Sequence, residues 1–191
     1  MKLKLFPDLF IAAFGAAFFV LPVPLQKEIF APVPVAEAAQ PSAFPLAQFA
    51  APSRIRIPSI KLDSPVSAMG INDIGQLDVP SGKSNTVGWY AGGTTPGEVG
   101  SAVLDAHVFA ALKNLHNAKV GGDIYVSMSN GALLHFKITQ KKTVPLSKVD
   151  DEELFNDASG RTLHLITCAG TYDSKAKTYT ARLLVYAQLV E

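Results

Sequence analysis

Residues 54–191 read as a mainly β domain: a closed or nearly closed barrel, or a sandwich, of about eight strands with one or two short helices. Two observations predict it. Apolar residues alternate, or fall in short blocks rich in β-branched types, and Gly, Pro, Asn and Asp punctuate those blocks. Asn130-Gly131 separates two such blocks and signals a hairpin, because both positions tolerate positive φ.

In chain order the pattern predicts strands over 54–60, 64–69, 86–90, 101–107, 123–129, 132–140, 162–168 and 178–189. Gly92-Gly93 and Pro96-Gly97 mark a long turn before the strand that ends at His107. Phe109, Leu112 and Leu115 have helical spacing, which predicts a short helix there. A second helix is expected over 149–155, whose first turn carries the acidic run Asp150 to Glu153. No internal repeat is visible.

The region before the domain has a different composition. The first 50 residues hold 8 of the 11 Phe and 7 of the 13 Pro but only six charged residues. Lys2 and Lys4 precede an uncharged run of 17 residues from Leu9 to Leu25. That is the pattern of a signal peptide or signal anchor. As a helix the run would be ~25 Å long, just enough for a bilayer core. The expectation is an anchor over 1–25, an Ala/Pro-rich linker over 26–53 and an exported domain over 54–191. A cleaved, secreted form is the alternative, offered by the A-x-A pattern of Ala36-Glu37-Ala38.

Charge excludes one class of partner. With 17 Lys+Arg against 16 Asp+Glu, the net charge of +1 leaves no basic footprint for nucleic acid. A single cysteine cannot form an internal disulfide or by itself a thiolate cage, and no Asp/Glu run resembles an EF-hand loop, so no metal is expected, and no other cofactor is called. An isolated thiol outside the cell is exposed to oxidation, so retaining Cys168 implies use or deep burial. Cys168 ends a strand beside Ala169-Gly170, where a substrate backbone can approach. Thiol catalysis further needs a neighbouring base or cation and donors aimed at a developing oxyanion.

Of the four histidines, His135 and His164 lie inside strands and read as solvated or satisfied residues. His164 shares a face with Cys168, four residues away, but is beyond hydrogen-bond reach. His116 follows the first short helix and is expected to be exposed. His107 ends a strand, as Cys168 does. Arg182, within the apolar run 181–186, is either a solvent-facing edge residue or a placed cation. Arg161 looks like an ordinary surface residue.

The run Leu165-Ile166-Thr167-Cys168 resembles the TLxTC signature of sortases, the cysteine transpeptidases of Gram-positive cell envelopes. His107, Cys168 and Arg182 occur in the family's order, with gaps of 61 and 14 residues. Val87-Gly88-Trp89-Tyr90, Pro96-Gly97-Glu98 and Gly122-Asp123 are similar to the class E/F branch. Two positions depart from the pattern: His164 stands for the first Thr, and Asp105-Ala106 precedes His107 where a Gly is frequent. No role is assigned to Asp105.

The resemblance implies a closed β-barrel in which Cys168 attacks an LPxTG-like sorting signal to form a thioacyl enzyme. It makes His107 the acid–base partner, Arg182 the cation that holds substrate and oxyanion, and Thr167 a substrate-binding residue. An amine, such as a peptidoglycan cross-bridge or a pilin lysine, would resolve the intermediate. The last strand runs to the end without an apolar or LPxTG-type tail, so the chain is expected to be neither a sorted substrate nor a class C pilin polymerase. The competing reading is a membrane-tethered β-barrel binding module with a structural cysteine, which need not bring His107, Cys168 and Arg182 together.

Overall fold

The computed structural model describes residues 50–73, 75–156, 158 and 160–190, so the expected anchor and most of the linker lie outside the described residues. Its strands are β1 (Pro52–Ile57), β2 (Leu62–Met69), β3 (Val87–Tyr90), β4 (Gly100–Asp105), β5 (Asp123–Met128), β6 (Leu133–Pro145), β7 (Arg161–Asp173) and β8 (Thr178–Leu189). They close into a barrel in the order β1-β2-β3-β4-β7-β8-β6-β5, with β5 returning to β1. The pairs β2–β3 and β4–β7 are parallel, and the other pairs are antiparallel.

Alternation builds the core. Ile55 and Ile57, Val87 and Trp89, Ala102 and Leu104, Ile124 and Val126, Phe136 and Ile138, Leu163 and Leu165, and Leu183 and Val185 all join one buried cluster. Each is separated by one residue from its mate, the period of a strand that sends alternate side chains inward. The expected hairpin is present: Gly131 takes φ 88°, and Met128 N–H donates to the Ala132 carbonyl at 2.8 Å.

Several elements differ from expectation. β4 stops at Asp105, two residues short of His107. β6 and β7 run on to Pro145 and Asp173 because each keeps pairing with the long β8, so Cys168 lies inside its strand and not at its end. The first strand stops at Ile57, because Pro58 lacks an N–H and instead opens a 3-10 turn over Pro58–Ile60. The helix expected around Phe109 to Leu115 is a succession of turns ending in a 3-10 segment, Leu115–Asn117. Its bonds run from Ala110 N–H to His107, Lys113 to Ala110 and Leu115 to Leu112, each spanning three residues. That spacing buries Leu112, Leu115 and Ala118 and leaves Phe109 61% exposed.

The second expected helix is present as α1 (Asp151–Phe155), preceded by a 3-10 turn over Leu146–Lys148. Asp150 caps α1, accepting from Glu152 N–H at 3.0 Å and Glu153 N–H at 3.3 Å. Leu154, with Val144, Val149 and Phe155, packs on Ile166, Leu184 and Tyr186. These last three lie on the outer face of β7 and β8, so here the sheet is covered on both sides. The four residues from Thr162 to Leu165 are accordingly all buried.

Candidate active site

Sheet register assembles the site. The last paired residues of β4 and β7 are Asp105 and Ile166; His107 and Cys168 each lie two positions further along. The bridge continues past β4, since Ala106 N–H donates to the Ile166 carbonyl at 3.4 Å and Thr167 Oγ1 donates to the Ala106 carbonyl at 2.7 Å. On the other side of β7, Cys168 is the register partner of Arg182 on β8. Directly opposed residues of an antiparallel pair carry their side chains on the same face, with Cβ atoms about 4.5–5.5 Å apart. Cys168 thus stands between the end of β4, carrying His107, and the strand carrying Arg182. All three are partly exposed.

Beyond Cys168 the strand bends. Gly170 takes φ 77° at an irregularity in the β7–β8 ladder, and a Cβ there would come 2.5 Å from Thr180 Oγ1. This position requires glycine for both reasons.

The Arg182 guanidinium is fixed by its own strand. Nη1 donates to the Tyr179 carbonyl at 3.2 Å and the Ala181 carbonyl at 3.0 Å, and Nη2 donates to Thr178 Oγ1 at 3.2 Å. A guanidinium has about five N–H donors in a rigid plane, so the N–H on Nε and one on Nη2 are left over for a ligand. The His107 ring stacks on Phe109, with centroids 4.9 Å apart and planes 11° apart. It also rests against Gly82, where a Cβ would lie 3.3 Å from His107 Cδ2.

A groove of about 390 Å³ reaches Cys168, lined among others by Val108, Leu112, Thr143, Thr167, Tyr179 and Leu183. His107 and Arg182 are not on its wall. The hydroxyl of Thr167, only 3% exposed, is engaged with Ala106. Thr167 therefore braces the strand of Cys168 against the residue preceding His107.

The remaining histidines sit as their context suggests. His164 is buried and its Nδ1 bonds the Leu154 carbonyl at 2.8 Å. His135 Nε2 pairs with Asp123 at 2.8 Å. His116 is exposed, with Nδ1 at 3.1 Å from the Lys113 carbonyl. Arg161 is less ordinary than its sequence position suggests: it is half-buried and donates to the Gly97 carbonyl, tying β7 to the loop before β4.

One residue beside the site was noted in the sequence but given no role. Asp105, 6% exposed, lies two residues before His107, and burial together with the nearby Asp78 charge pushes its carboxyl up to about 7. Its signal was available: a carboxylate inside the otherwise apolar strand from Ala102 to Ala106.

Comparison with known proteins accords with this geometry. The Sortase domain family matches residues 55–190, and the chain belongs to that family. Sortase D5, a transpeptidase of Clostridium perfringens, superposes with TM-score 0.56 at 17% identity, covering 74% of this chain and 79% of that one. Sortase C1 of Streptococcus agalactiae gives 0.52 at 25% identity, covering 73% and 67%. Sortase A of Corynebacterium diphtheriae gives 0.56 at 23%, covering 74% and 61%. No curated protein sequence matches the chain. The protein is therefore a sortase-type transpeptidase with a closed barrel, and the reading as a binding module gives way. The structural relatives carry A, C and D designations and assign no class.

Proposed function

We propose that Cys168 is the nucleophile of this transpeptidase, His107 its acid–base residue and Arg182 its oxyanion and substrate cation, acting on an LPxTG-like sorting signal. The observation that carries the proposal is the register that sets Cys168 opposite Arg182 and level with His107. The Cys168 sulfur attacks the carbonyl of the signal's threonine. The new C–S bond replaces the peptide C–N bond, and the proton from His107 leaves with the departing amine. An incoming amine, such as a peptidoglycan cross-bridge or a pilin lysine, then gives up a proton to His107 and displaces the sulfur.

Arg182 suits the oxyanion. Its charge is permanent, its plane is held at three points by β8, and its two spare N–H groups need no reorganisation as charge develops. Thr167 contributes to substrate binding by bracing the wall of the groove against Ala106. Residues 1–25 act as a membrane anchor and 26–53 as a tether, which places the catalytic domain of 54–191 outside the membrane. That reading rests on the two lysines and the apolar run of the sequence. Among the described residues no helix is long and apolar enough to cross a membrane.

The test is a transfer assay with a library of LPxTG-like peptides and an added amine. Ligated product from the native protein, and none from the His107→Ala and Cys168→Ala variants, is the expected result. Equal product from native and His107→Ala protein would remove His107 from the mechanism.

A further inference from the structure

We propose that Phe109 is a positioning residue for His107, its ring holding the imidazole by a face-to-face stack where the other histidines are held by hydrogen bonds. The inference rests on the reading of His107 as the acid–base residue.

The contrast among the four histidines carries the argument. Nδ1 of His164 bonds the Leu154 carbonyl at 2.8 Å, Nδ1 of His116 the Lys113 carbonyl at 3.1 Å, and Nε2 of His135 the Asp123 carboxylate at 2.8 Å. Among the described residues neither ring nitrogen of His107 has such a partner. Its ring contact is Phe109, with centroids 4.9 Å and planes 11° apart. His135 is stacked as well, on Tyr125 at 4.8 Å and 15°, but there Asp123 holds the ring in addition. At His107 the stack stands without a hydrogen bond.

That difference suits the chemistry. A hydrogen bond orients an imidazole by occupying one of its nitrogens. A stack fixes the plane of the ring and leaves both nitrogens open to exchange protons with the departing and incoming amines.

The local fold builds the stack. Ala110 N–H donates to the His107 carbonyl at 3.0 Å, closing a turn in which Phe109 is the third residue. The turn folds the phenyl ring back over the imidazole. Gly82 lies beneath the edges of both rings. A Cβ there would come 2.5 Å from Phe109 Cε2, 3.0 Å from its Cζ and 3.3 Å from His107 Cδ2. The pair therefore fits only because residue 82 has no side chain. Phe109 is 61% exposed and belongs to neither buried cluster, so its replacement leaves the core intact. A stacked aromatic pair favours its arrangement about two- to tenfold. Without it, the imidazole is shared among other staggered rotamers, which place its nitrogens away from the reacting amine.

The experiment compares the native full chain with Phe109→Leu, Phe109→Tyr and Gly82→Ala in the peptide-transfer assay, with the His107 ring protons followed by NMR. Phe109→Leu should lower kcat about three- to tenfold and leave KM within about twofold. Phe109→Tyr, which keeps the stacking face, should keep native kcat. Gly82→Ala, whose methyl displaces the phenyl ring, should lower kcat by a similar factor and add little to Phe109→Leu. In the native spectrum the Hδ2 and Hε1 resonances of His107 should lie upfield under the Phe109 ring current. They should move downfield in Phe109→Leu and stay in Phe109→Tyr. A rise in KM with kcat unchanged would make Phe109 a substrate contact and overturn the proposal, as would His107 resonances that Phe109→Leu does not move. Absence of transfer with every peptide would overturn the acid–base reading instead. The NMR comparison needs no turnover and decides by itself whether Phe109 holds the ring.

Discussion

The two sides of the barrel obey the same inward alternation and differ in what lies on their outer faces. On β1, β2, β5 and β6 the outward residues form surface ion pairs, Arg54 with Asp63 and Asp123 with both His135 and Lys137. These groups lower the carboxyls of Asp63 and Asp123 below their usual range through hydrogen bonds to their basic partners. Exposed pairs of this kind add little to stability. On β3, β4, β7 and β8 the outer face is covered at one end by α1 and at the other by residues 78–82, and the candidate catalytic residues stand beside those covers. The difference teaches that the barrel supplies position, whereas the covering segments supply environment.

The largest expected effect separates chemistry from stability on the covered side. Cys168→Ala should abolish acyl transfer, by at least ~1,000-fold, with the thermal midpoint nearly unchanged, because the thiol is partly exposed and braces nothing. Peptide transfer and calorimetry on the same preparation check both halves. Arg182→Lys should lower kcat by about 100- to 1,000-fold, since an ammonium cannot reproduce a plane held at three points. A loss confined to KM would instead make Arg182 a binding residue without an oxyanion role.

Packing sharpens the comparison further. Leu184, 2% exposed beneath α1, faces outward, yet Leu184→Ala should cost about 2–4 kcal/mol in denaturant unfolding, as a core leucine does. Leu133, 57% exposed at the start of β6, should cost less than about 0.5 kcal/mol when replaced by Ala. Equal costs would mean that α1 does not cover its side of the sheet in solution.

The smallest effect is a slope. From about pH 4 to about pH 7 the folded chain keeps the Asp105 proton that the unfolded chain has lost. Unfolding free energy therefore falls as pH rises through that window, by up to ~1.4 kcal/mol per unit from this group, and the contribution levels off above it. Subtracting the stability curve of Asp105→Asn from that of the native protein isolates the slope. The exposed Asp63 and Asp123 act in the opposite sense at lower pH and cancel in the difference.

Part of this was legible in the residues. Strand alternation and Asn130-Gly131 located the sheet, and the choice of Cys168, His107 and Arg182 as candidates came from the order and spacing they share with sortases. The strand ends were misplaced, since β4 stops at Asp105 and β7 carries on past Cys168 to Asp173. The parallel pairing of β4 with β7, which brings residues 61 apart to one level, is a long-range contact that no local pattern encodes. Phe109 misled because apolar spacing fits a helix and a train of three-residue turns alike; its ring stacks on His107 instead of entering the core. Asp105 was visible but could not be interpreted, since its meaning depends on Asp78 and Gly88, which lie 27 and 17 residues earlier in the chain.

The central claim, that Cys168 forms the acyl intermediate beside His107 and Arg182, is tested most directly by intact-mass spectrometry. The protein would be incubated with LPxTG-like peptides, with and without an amine. The account predicts an acyl adduct that maps to Cys168 and disappears as amine yields ligated product. No adduct with any peptide, together with a Cys168 inert to thiol reagents in the folded chain, would contradict it.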